Sequence, residues 1–185
     1  MAAASSYALR DHDQPELSGD GLLLRPWRAS DTDALLAAFA DPAIQQWQRL
    51  RLDDDAEAHD WVRRAHQRWT SGLGATWAVT VDGTVVGQVG LRGMNLFEGQ
   101  AELSYWTLPA ARNNAVATRA GTLATRWAFD TAGVHRMILN HSTRNTVSCK
   151  VAARLGYPLE GTKRAQLQHA DGWHDMHLHA RLVSD

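Results

Sequence analysis

The sequence lacks long apolar runs and has almost no cysteine. No apolar stretch approaches the roughly 20 residues that a membrane-spanning helix needs, so no membrane partner is predicted. Residues 1–20 hold no basic start followed by an apolar block, which argues against a secretory signal. The single cysteine, Cys149, excludes an internal disulfide and favours a reducing, cytoplasmic setting.

Strong net charge is also missing, but the charges are unevenly distributed. The 185 residues carry a net charge of −1, with 44% hydrophobic and 21% charged residues, which is typical of one globular domain. Residues 1–60 hold five basic and twelve acidic residues, whereas residues 110–165 hold nine basic and two acidic ones. The basic segment either forms a face for an anionic partner or consists of solvated helix faces balanced by the acidic half.

Glycine is absent where a phosphate-binding loop would place it. In LPAARNNAVATRAG, residues 108–121, a strand is predicted to end at Pro109 and a long helix to occupy roughly 114–132. No glycine stands between Pro109 and Gly121. The junction is therefore either an anion-binding site of altered sequence at the start of the helix, or a helix N-terminus that binds no ligand.

The remaining patterns predict an alternation of strands and helices. Helix starts and stops, period-two runs and the Asp82-Gly83 turn define the elements. Strands are expected at 21–28, at 99–109, at 135–143, in a hairpin over 75–93 and in two final runs, and helices at 30–41, 53–72, 114–132 and 145–156. This order predicts a layered α/β or α+β fold.

Four segments in this order resemble the GNAT superfamily of N-acyltransferases, in particular the ribosomal-protein N-terminal acetyltransferase branch. They are LLLRPWRASDTDALLAAFADPAI, AELSYWTLPAARNNAVATRAG, NTVSCKVAARLGYPLEGTKR and GWHDMHLHARLVSD. The resemblance implies a GNAT fold, a mixed central sheet of about six to seven strands with about four helices on its faces. It covers the chain from about residue 21, which predicts one acyltransferase domain, 21–185, and the small and polar residues 1–20 are expected to form a flexible N-terminal arm.

The resemblance places the donor pyrophosphate at the start of the long helix. The family loop usually reads Gln/Arg-x-x-Gly-x-Gly/Ala, and backbone amides at a helix N-terminus bind such anions. The matching residues are Arg112, Asn113, Asn114, Ala115, Val116 and Ala117, so alanine replaces the central glycine. Because any residue except proline keeps its amide, and asparagine tolerates a left-handed backbone, we expect a modified cradle. The family pattern also assigns the pantetheine amides to the strand backbone at Trp106, Thr107 and Leu108.

Two residues are candidates for proton transfer. Alternation puts Glu102, Ser104 and Trp106 on one face of their strand and Leu103 and Tyr105 on the other. Glu102 is a candidate base for the amine, with a surface or salt-bridged glutamate as the alternative. In the related branch a serine matching Ser148 lies near the donor sulfur, so it is the candidate acid. Alternatively, the Ser148 hydroxyl only satisfies backbone groups at the start of its helix. Asn145 could likewise cap this helix, or it could bind the pantetheine amide.

Histidines are clustered near the C-terminus, and tryptophans are frequent. His177 and His179 lie on one face of a strand and could ligate a metal, but no cysteine or acid completes a familiar sequence motif, so no metal is predicted. Substrate lining or ordinary surface histidines are the favoured interpretation. Trp47, Trp77 and Trp173 are either core residues or walls of an acceptor pocket.

Together these features predict an enzyme that transfers an acyl group, by default acetyl, from acyl-CoA to a primary amine in a ternary complex. A carrier-protein thioester or an aminoacyl-tRNA is the alternative donor, and a catalytically silent GNAT-fold binding module is the alternative from another class. The acceptor is expected to be a small molecule or a protein N-terminus, and the enzyme a monomer or homodimer.

Overall fold

One mixed sheet of eight strands organises the molecule. The computed structural model describes residues 9, 11–48 and 50–185. The strands are β1 (Leu17–Gly19), β2 (Leu22–Pro26), β3 (Ala75–Val81), β4 (Thr84–Asn95), β5 (Gln100–Thr107), β6 (Arg136–Ser142), β7 (Leu159–His169) and β8 (Gly172–Leu182). Their order is β1-β2-β3-β4-β5-β6-β8-β7, and every pair is antiparallel except β5–β6.

Five α-helices cover the sheet in the described part of the chain. They are α1 (Thr32–Ala40), α2 (Pro42–Gln45), α3 (Asp55–Thr70), α4 (Val116–Asp130) and α5 (Thr146–Arg154), with 3-10 turns at Ala29–Asp31 and Pro109–Ala111. The predicted layered α/β fold is confirmed. The predicted counts were too low because β1 has three residues and α2 has four, which is too short for a periodic signal.

Two apolar clusters lie on the two faces of the sheet. The larger joins α4 and α5 to the sheet through residues such as Leu103, Val116 and Leu139. The smaller joins α1, α2 and α3 to Ala78 and Trp106. Adjacent residues of β5 therefore face different layers, as the alternation predicted.

The strand β1 lies inside the segment that the sequence analysis assigned to an N-terminal arm. It pairs with β2 through Leu17↔Leu24. The preceding residues are also attached, since Trp77 Nε1 donates to the Pro15 carbonyl at 2.7 Å and Trp69 Nε1 to the His12 carbonyl at 2.8 Å. The ordered sheet thus begins before the predicted boundary at residue 20, and residues 1–8 lie outside the described part of the chain.

The strands β5 and β6 separate after a short parallel contact. They pair only at Gln100↔Arg136, Ala101↔Met137 and Glu102↔Ile138. β5 continues to Thr107 and β6 to Ser142, so the sheet opens into a wedge between them.

Candidate active site

The wedge forms a cleft of about 1140 Å³. Its walls are the separated parts of β5 and β6, the start of α4, the start of α5 and the segment after α2. Clefts of this size accept a cofactor-sized ligand. All the predicted site residues except Leu108 and Asn114 line this cleft.

The loop before α4 keeps a glycine-like backbone although it contains no glycine. Asn113 has φ 65° and Ala115 has φ 54°, both in the left-handed region. Helix α4 begins at Val116, two residues later than predicted, with Ala115 as its N-cap. A left-handed conformation is disfavoured for alanine but tolerated by asparagine, so the chain holds Ala115 in a strained conformation.

This backbone presents free amides to the cleft. The first amides of a helix have no intrahelical acceptor, and at α4 these belong to Val116, Ala117 and Thr118. No side chain in the described part of the chain caps them, and all three residues line the cleft. The Ala115 methyl, at the position of the central family glycine, is exposed. The arrangement can bind an anion through three convergent N–H donors and the helix dipole.

The arginines beside the cradle are held by protein groups. Arg112 Nη2 lies 2.9 Å from Asp41 Oδ2, and its Nε donates to the Thr107 carbonyl at 3.3 Å. Burial opposes ionisation of Asp41, yet the hydrogen bonds from Arg112 and two amides hold its pKa below the ordinary value. Arg119 donates to the carbonyls of Asn114 and Asp20. Both arginines therefore fix the loop as well as bringing positive charge to it.

On the β5 edge, one of the three predicted backbone positions remains available. The Leu108 amide donates to Val86 and its carbonyl accepts from Ala111, so both groups are occupied. By strand alternation the Trp106 backbone points to β4, and the Trp106 side chain is buried against Phe39 and Trp27. The backbone facing the cleft is that of Tyr105 and Thr107.

Glu102 stands where the wedge begins. It is the last residue of β5 that pairs with β6, and it lies directly opposite Arg92 on β4. Arg92 Nη2 lies 2.8 Å from Glu102 Oε1, and 30% of the glutamate side chain is exposed. The salt-bridged form considered in the sequence analysis is thus present, and the carboxylate also lines the cleft.

A second hydroxyl accompanies Ser148 on the opposite face of the sheet. Asn145 Oδ1 accepts from the Ser148 amide at 3.0 Å, so Asn145 does cap α5. The buried Tyr105 hydroxyl has no aligned hydrogen-bond partner among the described residues. Burial raises the pKa of Tyr105 to about 12, and the nearby Ser148 hydroxyl partly opposes the rise. Sequence reasoning missed Tyr105 as a site residue, although strand alternation had already put it on the face opposite Glu102.

The histidines form two groups on β6, β7 and β8. His169 and His174 stack at 4.2 Å between ring centroids and contact Trp47, which lines the cleft. Ser142 Oγ lies 2.8 Å from His174 Nδ1, and Asp171 Oδ1 lies 2.7 Å from His174 Nε2.

The second group consists of His141, His177, His179 and Cys149. Of the three tryptophans considered for an acceptor pocket, only Trp47 lines the cleft, since Trp77 is fully buried and Trp173 is an exposed residue of β8.

Comparison with known proteins agrees with this architecture. The family model "Acetyltransferase (GNAT) domain" matches residues 21–158. The uncharacterized N-acetyltransferase YoaA of Bacillus subtilis is 22% identical over 153 residues, which are 81% of this chain and 86% of YoaA.

Two solved structures show the same fold at low identity. The ribosomal L7/L12 alpha-N-protein acetyltransferase RimL, in complex with coenzyme A, superposes with a TM-score of 0.86 at 17% identity, covering 92% of this chain and all of that one. The ribosomal-protein-S5-alanine acetyltransferase of Vibrio fischeri superposes with a TM-score of 0.83 at 18% identity, and the match covers 93% of this chain and 98% of that one.

The chain therefore belongs to the GNAT acetyltransferase family and is an N-acetyltransferase by family, with the ribosomal-protein branch among its structural neighbours. No helix within the described residues is both long and apolar enough to cross a membrane.

Proposed function

We propose that the protein transfers an acetyl group from acetyl-CoA to a primary amine by direct attack within a ternary complex. The observation that carries the proposal is the wedge between β5 and β6, which ends at the unoccupied amides of α4. A thioester donor with a pyrophosphate fits both parts. The coenzyme A bound to the related RimL supports this choice of donor.

The donor would be held mainly by backbone groups. Its pyrophosphate meets the amides of Val116, Ala117 and Thr118, and the cleft-facing backbone of Tyr105 and the Thr107 amide pair with the pantetheine amides as an added strand would. Arg112 contributes from its position beside the Thr107 carbonyl. The thioester then lies near the start of α5, because the pantetheine arm runs along β5 towards Glu102.

Proton transfer would use groups on the two faces of the sheet. Glu102 faces the α1–α3 side and accepts a proton from the attacking amine, directly or through water. Ser148, on α5, supplies the proton that the leaving thiolate takes up, and Tyr105, whose side chain packs on the α5 side of the sheet, donates a hydrogen bond to the same sulfur. Tyr105 stays protonated at neutral pH because burial raises its pKa to about 12, so it can donate a hydrogen bond there.

The amine acceptor would enter beside Trp47, where the cleft passes the segment after α2. A protein N-terminus and a small-molecule amine are both compatible with this opening. The ribosomal substrates named for RimL and for the Vibrio fischeri enzyme make a protein N-terminus the first acceptor to test.

A carrier-protein thioester or an aminoacyl-tRNA remains the second candidate donor, because Ala115 puts a methyl group at the N-cap beside the cradle. A carrier protein brings the same pantetheine arm without the adenosine diphosphate of CoA. Such a donor would use the β5 edge and leave the α4 amides without their ligand.

The test is single-turnover acyl transfer to a panel of peptide and small-molecule amines. Each of three donors, acetyl-CoA, an acyl carrier protein and an aminoacyl-tRNA, is compared on the wild type. We expect acetyl-CoA to be used most efficiently, and Ser148→Ala combined with Tyr105→Phe to slow transfer more than either change alone. Efficient transfer only from another donor would overturn the choice of acetyl-CoA, and no transfer to any amine would overturn the proposed reaction.

A further inference from the structure

Three histidines and the single cysteine meet on the sheet face that α5 covers. His141 on β6 is directly opposite His177 on β8, and His179 is two residues further along the same face of β8. Cys149 comes from α5. One ligand atom from each of the four residues lies within 4.8 Å of the others. Sequence spacing could not show this group, because Cys149 and the nearest histidine in it, His141, come from different elements.

The hydrogen bonds of two rings orient them as metal ligands. His141 Nδ1 lies 2.8 Å from the Ser142 carbonyl, and His179 Nδ1 lies 2.9 Å from the Tyr157 carbonyl. A carbonyl only accepts, so each Nδ1 carries the proton and each Nε2 keeps its lone pair in the neutral ring. Metal-binding histidines in proteins are oriented by this kind of bond from the other ring nitrogen.

The two lone pairs point at one another and lack a donor between them. His141 Nε2 and His179 Nε2 are 3.2 Å apart, and both side chains are buried. His177 adds a buried Nδ1 with no hydrogen-bond partner among the described residues. Buried polar atoms are normally satisfied, and two facing lone pairs beside an unpartnered ring nitrogen are the arrangement that a shared cation would satisfy.

A zinc ion satisfies these atoms at once. Zn–N bonds of about 2.0–2.1 Å and a Zn–S bond of about 2.3 Å place tetrahedral ligand atoms roughly 3.3–3.6 Å apart. The two Nε2 atoms already have nearly this separation, and the widest pair must approach by about 1 Å. Imidazole and thiolate are also the ligands that zinc prefers.

We propose that His141, His177, His179 and Cys149 form a tetrahedral zinc site that joins β6 and β8 to the start of α5. Four protein ligands leave no open position, so the site is structural rather than a source of activated water. Its consequence for the cleft is positional. Cys149 follows Ser148 directly, and His141 lines the cleft, so the metal would fix the hydroxyl of Ser148 relative to β6.

The test is metal binding by the purified full chain after chelation and dialysis. Cobalt(II) is titrated as a spectroscopic probe, and zinc content is measured after zinc loading. We expect one metal per chain, the strong visible absorption of tetrahedral cobalt and a near-ultraviolet thiolate-to-cobalt band. Because the chain has one cysteine, that band can come only from Cys149. Zinc should displace cobalt, protect the thiol from alkylation and raise the melting temperature.

Variants assign the ligands without requiring turnover. Cys149→Ser should remove the thiolate band, and His177→Gln should weaken cobalt binding at least tenfold. His59→Gln, which changes an exposed histidine of α3, is the matched control and should bind as the wild type does. Less than stoichiometric tight metal in the wild type, or a Cys149→Ser variant with an unchanged spectrum, would overturn the site. These readouts are independent of the acyl-transfer assay, so either proposal can fail alone.

Discussion

At the residue scale, single side chains decide whether the cleft can work as an acyltransferase site. Sequence reasoning named Glu102, Ser148 and the loop 112–117, because these lie in recognisable segments. It could not show that Ala115 has a left-handed backbone, since that conformation is imposed by the surrounding fold. Nor could it show that Arg92 reaches Glu102, because the pair depends on the register between β4 and β5.

Ala115→Gly should stabilise the protein. The left-handed conformation of Ala115 costs about 1–2 kcal/mol, and glycine would remove this cost. Glycine also raises the conformational entropy of the unfolded chain, which offsets about 0.4–1 kcal/mol of the stabilisation. We expect the free energy of unfolding, measured with denaturant, to rise by about 0.5–1 kcal/mol. Ala117→Gly, in the regular first turn of α4, is the control and should destabilise. A lower free energy of unfolding for Ala115→Gly than for the wild type would show that the backbone of Ala115 is not strained.

Glu102→Gln should slow turnover without weakening the donor complex. If Glu102 takes the proton of the amine, kcat at neutral pH should fall by about 10²–10⁴-fold, while the dissociation constant of acetyl-CoA stays close to the wild-type value. Glu160→Gln is a matched control, because Glu160 also pairs with an arginine, Arg136, but does not line the cleft. Equal kcat values for both variants would exclude Glu102 as the base.

At the element scale, the sheet is held open at β5–β6 while its other end is tightly connected. Periodicity predicted most elements, because apolar residues recur at the spacing of a helix or strand. The sequence did not predict where β5 and β6 separate, because this depends on how many residues of the two parallel strands pair with each other. The connection from β2 to α1 uses a buried ion pair, in which Arg25 lies 2.7 and 2.8 Å from the two oxygens of Asp31.

The Arg25–Asp31 pair should give stability that is lost in acid. Burial opposes ionisation of Asp31, but its hydrogen bonds from Arg25 and the Arg28 amide lower its pKa below the ordinary 3.8. A carboxylate with a lowered pKa in the folded state stabilises the protein at pH values above about 3.8. This contribution is lost as the pH falls through the folded-state pKa. Denaturant unfolding between pH 7 and pH 3 should therefore show declining stability at the acidic end.

Asp31→Asn should cost about 3–5 kcal/mol at pH 7, because it leaves a buried arginine without its counter-charge, and should reduce the acid dependence. Asp60→Asn, in an exposed pair with Arg63, is the control and should follow the wild-type profile. An Asp31→Asn variant with the same stability at pH 7 as the wild type would show that the pair does not hold β2 to α1.

At the scale of the whole molecule, three of the nine basic residues in the segment 110–165 pair with acidic side chains. Arg112, Arg136 and Arg144 pair with Asp41, Glu160 and Asp171. Among the described residues, Arg112–Asp41 is the ion pair that joins the basic segment to the acidic first third of the chain, and Arg119 adds a hydrogen bond to the Asp20 carbonyl. The GNAT assignment from ordered segments is confirmed, whereas the precise site needed the fold, because the cleft combines β5, β6, α4 and α5.

The most direct test of the account is calorimetric titration of coenzyme A into the wild type and two variants of Ala117. Ala117→Pro removes one cradle amide in the first helical turn, where proline is best tolerated, and Ala117→Gly keeps that amide. We predict micromolar binding by the wild type, binding within a few fold for Ala117→Gly, and at least about tenfold weaker binding for Ala117→Pro, as expected for the loss of one charge-assisted hydrogen bond. Pantetheine, which has no pyrophosphate, should bind all three alike. Undetectable coenzyme A binding by the wild type, or equal binding by Ala117→Pro, would contradict a working cradle at RNNAVA.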